Sequence, residues 1–473
     1  MSNKEMRRTG STTANRGDLE NRRVKFLTFN TWGLKWVSKH RKQRLRAIAD
    51  ELSGSTVGTS LEGSDILQPG GTVFRDIAGE IRRETDSYDI VALQEIWCEE
   101  DWDYLVERCS HIFPYHRLFY SGILTGPGLA ILSKIPIEST FLYRFPINGR
   151  PSAVTRGDWY VGKSIAVTLL DPVTESSAPL AIMNSHMHAP YALTGDAAYH
   201  CHRACQSWDF SKLANLYKKA GYAVVIVGDL NSRPGSLQHK FLTMETGLVD
   251  SWEQLHGKQD IAAISTLNPM EQLKFGCTTC DSTLNTWRPK CKPTDACRLD
   301  YALVDETRLK TVDAGVRFTE KIPEIGSFSD HFAYCCTLEL LPEDKQNNRK
   351  LLLSKELLLQ RYDNYNEMID TIDKYMTTAE TQKLLRGIHF IISMLLLLGT
   401  LVVTSMTVNP TNWSSLFWVI FVTVIAVTGT IDGIISFLFG RKEIRALTEV
   451  QQEVLDAKHA MELRLNKKYK AES

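Results

Sequence analysis

The pattern of apolar and polar positions divides the chain into two regions of different character. In the first region, short apolar runs rich in β-branched residues alternate with stretches that show helical spacing. The predicted strands are KFLTFN, IVALQEI, GLAILS, KSIAVTLL, LAIMNSHM, AVVIVGDLN, DYALV and FAYCCTLEL. Helices are predicted between them, for example over Lys42–Leu52 and Ala204–Lys219. Several strands are apolar on both faces, which indicates sheets that are covered on each side. Residues 23–342 are therefore predicted to form one α/β domain.

The second region contains two long apolar runs. Ile388–Val408 and Trp413–Phe439 are each long enough to cross a bilayer at about 1.5 Å of rise per residue, and only the segment NPTN separates their ends. No Lys or Arg occurs from 388 to 440, which argues against two buried helices of a soluble core. We therefore predict a two-helix transmembrane hairpin over residues 387–440, preceded by a helical juxtamembrane linker over 343–386 and followed by an amphipathic helix over 441–473.

Basic residues flank this hairpin on both sides, whereas its connecting loop has none. They are Lys383, Arg386, Arg441, Lys442 and Arg445. The positive-inside rule then places both ends of the hairpin, and the N-terminal domain with them, in the cytosol. Residues 1–22 have no apolar core, so they are predicted to be a disordered tail rather than a signal peptide. Glu51–Thr85 is rich in Gly and Ser and is predicted to be an exposed insertion.

One carboxylate lies inside the second apolar run. Asp432 would be costly to bury alone in hydrocarbon, so it needs a partner. His389 lies at a similar depth in the first run, and we predict a hydrogen bond between the two side chains. A protonated Asp432, or a contact with a second copy of the chain, remains an alternative.

The net charge of the chain bears on whether it binds nucleic acid. Lys plus Arg and Asp plus Glu are both 55, so the net charge is zero. Proteins that bind nucleic acid usually carry a basic excess that meets the phosphates, so no nucleic-acid partner is predicted. The chain has ten Cys and no secretory signal, which favours reduced thiols facing the cytosol.

Polar residues that can carry chemistry stand where the predicted strands begin or end. They are Asn30, Glu95, His186, His188, Asp229, Asn231, Asp300, Asp330 and His331. One such residue is usually a turn former, but this many carboxylates, amides and imidazoles at strand ends predict a shared site. Oxygen ligands such as Glu95 and Asn30 suit Mg²⁺, and no cluster of thiolates or imidazoles favours Zn²⁺ at this site.

The same residue types suit the hydrolysis of a phosphodiester. An imidazole accepts a proton from water near neutral pH, and His331 is the predicted general base. Asp300 is the predicted partner that holds its tautomer. Asp229 and Asn231 are predicted to position the water and to hydrogen-bond the phosphoryl oxygen.

The motifs FNTWG, LQEIW, NSHMHAP, GDLNSRP, RLDY and SDHFA, in this order, resemble the endonuclease/exonuclease/phosphatase superfamily. FNTWGL, GILTGPGLAILSK and the two C-terminal spans narrow the resemblance to the neutral sphingomyelinases, and most closely to the fungal inositol phosphosphingolipid phospholipases C. The resemblance implies a four-layer sandwich of two packed mixed β-sheets flanked by helices. It also implies roles: Glu95 and Asn30 bind Mg²⁺, and Asp330 lies beside the metal or the water. His186 contacts the scissile phosphate, and His188 contacts the residues behind the phosphate site. The assignment of these two roles between the two histidines is less clear than the other assignments.

The segment GDWYVGKS, residues 157–164, matches the phosphate-binding P-loop pattern. That motif requires a helix after its last residue, but a strand is predicted here, so nucleotide binding is rejected. In the sphingomyelinase relatives this segment resembles a regulatory loop, in which Asp158 and Lys163 form a pair that rearranges to complete the active site. The alternative is a surface hairpin with an ordinary salt bridge.

A second spacing pattern is ambiguous. Four cysteines form C-x2-C-x10-C-x5-C before Asp300, namely Cys277, Cys280, Cys291 and Cys297. The first pair has a spacing that zinc sites use, whereas the second pair is loosely spaced, so both structural Zn²⁺ and free thiols remain open.

Taken together, the sequence predicts an integral membrane phosphodiesterase with a cytosolic catalytic domain. The resemblance implies Mg²⁺-dependent, phospholipase C-type hydrolysis of a sphingolipid, release of ceramide and a phosphorylated headgroup, and activation by anionic phospholipids. It also implies the endoplasmic reticulum or the mitochondrial outer membrane. An inositol phosphate phosphatase, a nuclease and a non-catalytic membrane scaffold are the alternatives. Headgroup preference and a homo-oligomeric state are left open.

Overall fold

The structure is a computed structural model that describes residues 22–54, 74–75, 81–82, 88–123, 126–153, 156–342, 355–407 and 413–472. Side chains are described as far as residue 466. Three predictions therefore lie wholly or mostly outside the described residues. These are the disordered tail over 1–22, the insertion over Glu51–Thr85 and the NPTN link between the apolar runs.

Within the described residues, twelve strands form two six-stranded sheets. In chain order they are β1 (Arg23–Asn30), β2 (Ile90–Gln94), β3 (Tyr115–Leu118), β4 (Ala130–Ser133), β5 (Ile137–Arg144), β6 (Ser164–Leu170), β7 (Leu180–His186), β8 (Ala223–Asp229), β9 (Val249–Asp250), β10 (Asp300–Val304), β11 (Leu309–Arg317) and β12 (Ala333–Leu340). The strand order is β11-β12-β1-β2-β4-β3 in one sheet and β9-β10-β8-β7-β6-β5 in the other. Both sheets are mixed, because β1 and β8 each pair with one parallel and one antiparallel neighbour.

Eleven helices accompany the strands in the described part of the chain. They are α1 (Arg41–Leu52), α2 (Glu99–Cys109), α3 (Asp158–Val161), α4 (His200–Lys219), α5 (Leu237–Lys240), α6 (Ser251–His256), α7 (Ile261–Ser265), α8 (Pro269–Gly276), α9 (Lys355–Thr407), α10 (Ser414–Ile434) and α11 (Arg441–Glu472). Two π-helical segments continue α5 and connect α10 to α11, namely Phe241–Glu245 and Ile435–Gly440. Short 3-10 turns lie at Asp196–Ala198 and Pro293–Asp295.

The two sheets pack face to face, and helices cover their outer faces. The shared core includes Phe26 and Ala92 from the first sheet and Ile182 and Val225 from the second. Apolar residues of α1 and α2 cover the outer face of the first sheet, and those of α4 cover the second. The predicted four-layer sandwich is therefore confirmed, and each of the eight predicted strands is present.

The juxtamembrane linker is helical from Lys355 onward. Its helix continues directly into the first apolar run, because α9 is a single helix of 53 residues. No proline occurs between Lys355 and Thr407, and the two glycines there, Gly387 and Gly399, do not interrupt the helix.

The amphipathic helix at the C-terminus packs back onto the catalytic domain. The apolar stripe of α11 is buried in a cluster shared with α9 and α4. Its members include Leu447, Val450 and Val454 from α11, Tyr365 and Ile372 from α9, and Trp208 from α4. The stripe visible in the sequence is therefore the contact face between the membrane-proximal helices and the catalytic domain.

Two of the described helices are long and apolar enough to cross a membrane. Their outward positions are exposed and apolar, as at Leu395, Leu401 and Val419. Asp432 lies between the two runs as predicted, with its Oδ2 atom 2.8 Å from His389 Nδ1. Arg386, which the sequence analysis counted only as a flanking charge, also forms an ion pair with Asp432.

Candidate active site

Polar side chains from several strand ends meet in one cavity of about 320 Å³. The registers explain why: Asn30 pairs with Gln94 next to Glu95, and Asp229 pairs with both His186 and Asp300. These residues therefore stand at the same level at one edge of the sandwich. The predicted site residues that line the cavity are Asn30, Glu95, Asp158, Lys163, His186, Asp229, Asn231, Asp330 and His331. Two others, Asp300 and His188, lie behind this lining.

His331 and Asp300 form a hydrogen-bonded pair. Asp300 Oδ2 is 2.9 Å from His331 Nδ1, which leaves Nε2 directed at the cavity, 3.8 Å from Asp229 Oδ2. Burial disfavours the imidazolium, but the charges of Asp300 and then Asp229 outweigh it and raise the pKa of His331 well above its ordinary value. A carboxylate on Nδ1 fixes the tautomer of the ring and keeps Nε2 available to the cavity.

Glu95 and Asn30 contact each other on the cavity wall. Asn30 Nδ2 donates to Glu95 Oε1 at 3.1 Å and to Asp229 Oδ2 at 3.0 Å, while Asn30 Oδ1 accepts from the backbone N–H of Trp32. In this orientation the amide nitrogen of Asn30 faces the two carboxylates, so the side chain would have to turn over to offer oxygen to a cation. Glu95 adopts a left-handed backbone with φ of 63°. The backbone of Gly33 approaches it so closely that an added Cβ would lie 2.2 Å from the Glu95 carbonyl oxygen.

The donor set around Glu95 fits a divalent cation. Burial, and then the charge of Asp330, raises the pKa of Glu95 to about 7, although the charge of Lys163 opposes this rise. Hard oxygen ligands of this kind suit Mg²⁺ or a similar ion. A second grouping, Asp229, Asp300 and His331, also places ligand atoms within 4.8 Å of one another. It is the weaker candidate, because His331 Nδ1 is already engaged by Asp300.

His186 and Asn231 complete the wall beside Asp229. His186 Nε2 is 3.6 Å from Asp229 Oδ2, and its Nδ1 is buried without a hydrogen-bond partner among the described residues. Burial, assisted by the charge of Lys163, lowers the pKa of His186 to about 3, so the ring is neutral. Asn231 has a φ of 46° and donates from Nδ2 to the carbonyl of Met187 at 3.0 Å, while its own N–H donates to Asp229 Oδ1.

Asp158 and Lys163 lie in the same cavity and not on the surface. Lys163 Nζ is 3.2 Å from Asp158 Oδ1, and the Lys163 side chain is 1% exposed. The alternative of an exposed hairpin is therefore wrong. Helix α3 ends before β6 begins at Ser164, so a strand follows the glycine-rich segment, as predicted. Burial opposes ionisation of Asp158, but the charge of Lys163 outweighs it and holds the carboxyl pKa well below its usual range.

Aromatic and imidazole side chains connect Asp158 to the C-terminal helix. His188 Nδ1 is 3.4 Å from Asp158 Oδ2, and the His188 ring stacks on Tyr199 with ring centroids 4.0 Å apart. Tyr199 contacts the ring of His202, whose Nε2 is 3.2 Å from Glu443 Oε1 on α11. His188 is thus a supporting residue behind Asp158 and does not line the cavity.

The segment that carries Asp158 also contacts the apolar helices. The ring of Trp159 lies 4.8 Å from that of Phe439, at the end of the second apolar run. Arg386 Nη2 donates to the carbonyl of Ser152 at 2.9 Å. One wall of the cavity is therefore attached directly to the two helices that can span a membrane.

Sequence reasoning missed several cavity residues, above all Arg288. It lines the cavity, and its Nη2 donates to Asp330 Oδ2 at 2.7 Å. Tyr191 was missed as well, and its hydroxyl donates to Asp158 Oδ2 at 3.1 Å. Neither residue stands at a strand end, so the pattern that revealed the others gave no signal for them.

The four-cysteine zinc arrangement is not formed. Cys277 is fully buried in the core between the sheets, whereas Cys280, Asp281 and Cys297 bring ligand atoms within 4.8 Å of one another. None of the ten cysteines, all of which lie within the described residues, is paired in a disulfide.

We expect the stabilisation of the protein by Mg²⁺ to increase as the pH rises through about 7. Because the pKa of Glu95 is raised to about 7, the carboxyl must lose a proton before it can bind a cation. Without a cation, the raised pKa of Glu95 stabilises the folded protein at any pH below 4.5, the pKa of the carboxyl in the unfolded chain. This contribution to stability is lost as the pH rises through about 7, the pKa of the carboxyl in the folded protein. Thermal unfolding at about pH 6 and about pH 8, with and without Mg²⁺, measures this effect.

Glu95→Gln should remove most of this cation-dependent shift, whereas Glu99→Gln, at an exposed position, should retain it. An equal Mg²⁺ shift at both pH values, or an undiminished shift in Glu95→Gln, would contradict the assignment.

Comparisons with known proteins agree with this geometry. The model of the Endonuclease/Exonuclease/phosphatase family matches residues 27–331. An inositol phosphosphingolipids phospholipase C of Saccharomyces cerevisiae is 63% identical over 452 residues, which cover 94% of this chain and 92% of that protein. The protein of the same name from Schizosaccharomyces pombe is 31% identical over 449 residues, covering 92% and 94%. Human sphingomyelin phosphodiesterase 2 is 30% identical over 230 residues, covering 49% and 46%. The chain therefore belongs to the Endonuclease/Exonuclease/phosphatase family, in the group that includes the inositol phosphosphingolipids phospholipases C of these two yeasts.

Proposed function

We propose that this protein is a membrane-bound, Mg²⁺-dependent phospholipase C that hydrolyses the headgroup phosphodiester of sphingolipids. The products are ceramide and a phosphorylated headgroup. The observation that carries the proposal is the position of the cavity: a His–Asp pair, several carboxylates and a buried lysine share one space. The wall of that space rests against the apolar helices through Trp159 and Phe439. The names of the relatives support sphingolipid as the substrate.

The chain's own residues then take the following roles. His331 accepts the proton of the attacking water, and Asp300 holds the ring so that Nε2 faces the cavity. Asp229 orients the water, and Asn231 hydrogen-bonds a phosphoryl oxygen. The new bond forms between water oxygen and phosphorus while the bond from phosphorus to the ceramide oxygen breaks. The ceramide oxygen then takes up a proton from a water molecule of the solvent, and His331 returns its proton to solvent.

His186 is assigned to the scissile phosphate and the leaving ceramide oxygen. Its ring is neutral and buried, and Nδ1 is unpartnered among the described residues, so one ring nitrogen remains free to hydrogen-bond the substrate. Lys163 brings a positive charge to the same wall. A buried cation is strongly felt by a phosphate anion because little water screens it.

Glu95 would hold the cation, with Asn30 after its amide turns over and with Asp330 close by. When bound, the cation would offset the charge on the phosphate oxygens and part of the carboxylate charge that raises the pKa of His331. The carboxylates of Glu95 and Asp330 line the same cavity and support this assignment, because they are the hard oxygen ligands that Mg²⁺ prefers.

Activation by anionic phospholipids, such as phosphatidylserine, is proposed to act through the segment that carries Asp158 and Lys163. Basic residues flank both apolar helices, and Arg441, Lys442 and Arg445 begin α11. The contacts of Ser152 and Trp159 with the helices give lipid-induced shifts a direct route to the cavity. The same basic flanks support a cytosolic catalytic domain.

A panel of substrates tests the proposal. Full-length protein in mixed micelles would be assayed on inositol phosphoceramide, sphingomyelin, a free inositol phosphate and nicked DNA, each with and without Mg²⁺ and phosphatidylserine. We expect turnover of a sphingolipid that requires Mg²⁺ and rises with phosphatidylserine. Hydrolysis confined to the free inositol phosphate or to DNA would overturn the proposal.

A further inference from the structure

The cavity has a polar wall to which no role has been assigned so far. It is formed by the segment from Cys280 to Arg288, which follows the core residue Cys277 and precedes β10. We propose that Arg288, together with Asp281, binds the headgroup of the substrate and selects a polyhydroxylated headgroup over a quaternary ammonium. This inference rests on the proposed function and names the headgroup class that the same cavity accepts.

The walls of the cavity differ in where they lie relative to the apolar helices. The wall next to these helices includes Val161, Ala189 and Pro190 beside the paired Asp158 and Lys163, and Trp159 connects it to Phe439. The apolar residues beside the membrane suit the ceramide part of the substrate, whose hydrocarbon chains lie in the bilayer. The polar headgroup is then left to the wall of Asp281 and Arg288, whose segment is hydrogen-bonded to the backbone of Ser327 and Ser329.

Arg288 is held rigidly on that wall. Asn285 Nδ2 donates to the carbonyl of Ser329 at 2.9 Å, and Trp287 Nε1 donates to the carbonyl of Ser327 at 2.7 Å. Ser329 immediately precedes Asp330, and Ser327 lies two residues before Ser329. The segment is therefore tied to the strand end that carries the proposed base, and the guanidinium does not lose much freedom when a ligand binds.

The charges on this wall match a polyol. Arg288 pairs with Asp330 through Nη2 at 2.7 Å and approaches Asp281 Oδ1 with Nε at 3.6 Å. The Nε atom has no hydrogen-bond partner among the described residues, and the Arg288 side chain is still 34% exposed. Hydroxyl groups both donate and accept, so they satisfy a guanidinium and a carboxylate together. A quaternary ammonium neither donates nor accepts a conventional hydrogen bond, so it would give the N–H groups of Arg288 no new partner.

Arg288→Gln tests the assignment in the full-length protein. The readout is kcat/KM for inositol phosphoceramide and for sphingomyelin, measured in identical micelles with Mg²⁺. We expect the ratio of the two values to fall by roughly tenfold or more, since a site built for hydroxyl groups loses at least that much when a charged donor is removed. Arg288→Lys keeps the charge but loses the planar guanidinium. Its ratio of kcat/KM values should lie between that of the wild-type protein and that of Arg288→Gln. Lys290→Gln removes an exposed charge from the same segment and should leave the ratio unchanged.

Product inhibition gives a second measurement that does not depend on turnover of both lipids. Inhibition by inositol phosphate should weaken about tenfold in Arg288→Gln, while inhibition by phosphocholine should not weaken. The inference would be overturned if Arg288→Gln lowered kcat/KM equally for both lipids and weakened inhibition equally for both products. Arg288 would then act on the phosphate that all of them share. An unchanged ratio would overturn it as well. If the wild-type protein hydrolysed neither lipid, the proposed function itself would fail, and that result differs from a variant with an altered ratio.

Discussion

His331→Gln is expected to lower sphingolipid turnover by about 10²- to 10⁴-fold, the usual contribution of a positioned general base. Glutamine keeps much of the volume and the polarity of the side chain but cannot take up a proton. The buried pair of His331 and Asp300, at 2.9 Å, is the only arrangement in the described cavity that gives an imidazole a fixed tautomer through a carboxylate. The measurement is kcat at saturating substrate and Mg²⁺, with thermal unfolding as the check on folding.

The matched control is His111→Gln, at an exposed position near the end of α2. It should leave kcat within about twofold of the wild-type value. Asp300→Asn should reduce kcat as well, because the amide cannot stabilise the same tautomer through its charge. Near-normal turnover in His331→Gln would remove the residue from the mechanism.

Lys163→Ala is expected to abolish measurable turnover, a loss of at least about 10²-fold. Lys163 is 1% exposed, and its charge acts on Asp158, His186 and Glu95 together. Its removal therefore takes a cation from the phosphate site and leaves Asp158 buried without its partner. Because breaking one half of a buried pair typically costs about 3–5 kcal/mol, some loss of stability is also expected.

A double variant separates the two effects. In Asp158→Asn with Lys163→Met both charges are absent, so stability should recover while turnover stays lost. Lys42→Ala breaks an exposed pair with Glu100, whose side chains are 60% and 65% exposed, and should change neither quantity appreciably. Recovery of turnover in the double variant would mean that Lys163 only balances the charge of Asp158.

Much of the catalytic site could be predicted because it follows from strand ends. Asn30, Glu95 and Asp229 come directly after continuous apolar runs, and parallel strands deliver such residues to the same edge of a sheet. The strands themselves were recognisable because they are buried on both faces. By contrast, β5 was missed because burial alternates irregularly along Ile137–Arg144, as expected of an edge strand.

The remaining parts depend on contacts between segments that are far apart in the chain. The apolar stripe of α11 was visible, but nothing in its own residues identifies α4 and Trp208 as the surface that covers it. Arg386 looked like an ordinary flanking charge, although it pairs with Asp432 and also holds the carbonyl of Ser152. Such pairings arise only when helices and loops are placed in three dimensions, so local pattern and propensity cannot supply them.

These long-range contacts hold the catalytic domain in a fixed position against the apolar helices. α11 packs on α4, and Glu443 reaches the ring of His202, which contacts Tyr199 and through it His188 behind Asp158. The cavity is thus braced from the side of the helices that would enter the bilayer. A hydrolase whose substrate is itself a membrane lipid gains from this arrangement, because the site stays at the surface where the substrate is concentrated.

The central claim is that water, activated by His331, attacks phosphorus and displaces the ceramide oxygen. Hydrolysis of inositol phosphoceramide in water enriched in heavy oxygen tests this directly, with both products analysed by mass spectrometry. We predict one labelled oxygen in the released inositol phosphate and none in ceramide. Label in ceramide, or a cyclic inositol phosphate without label as the final product, would contradict the account.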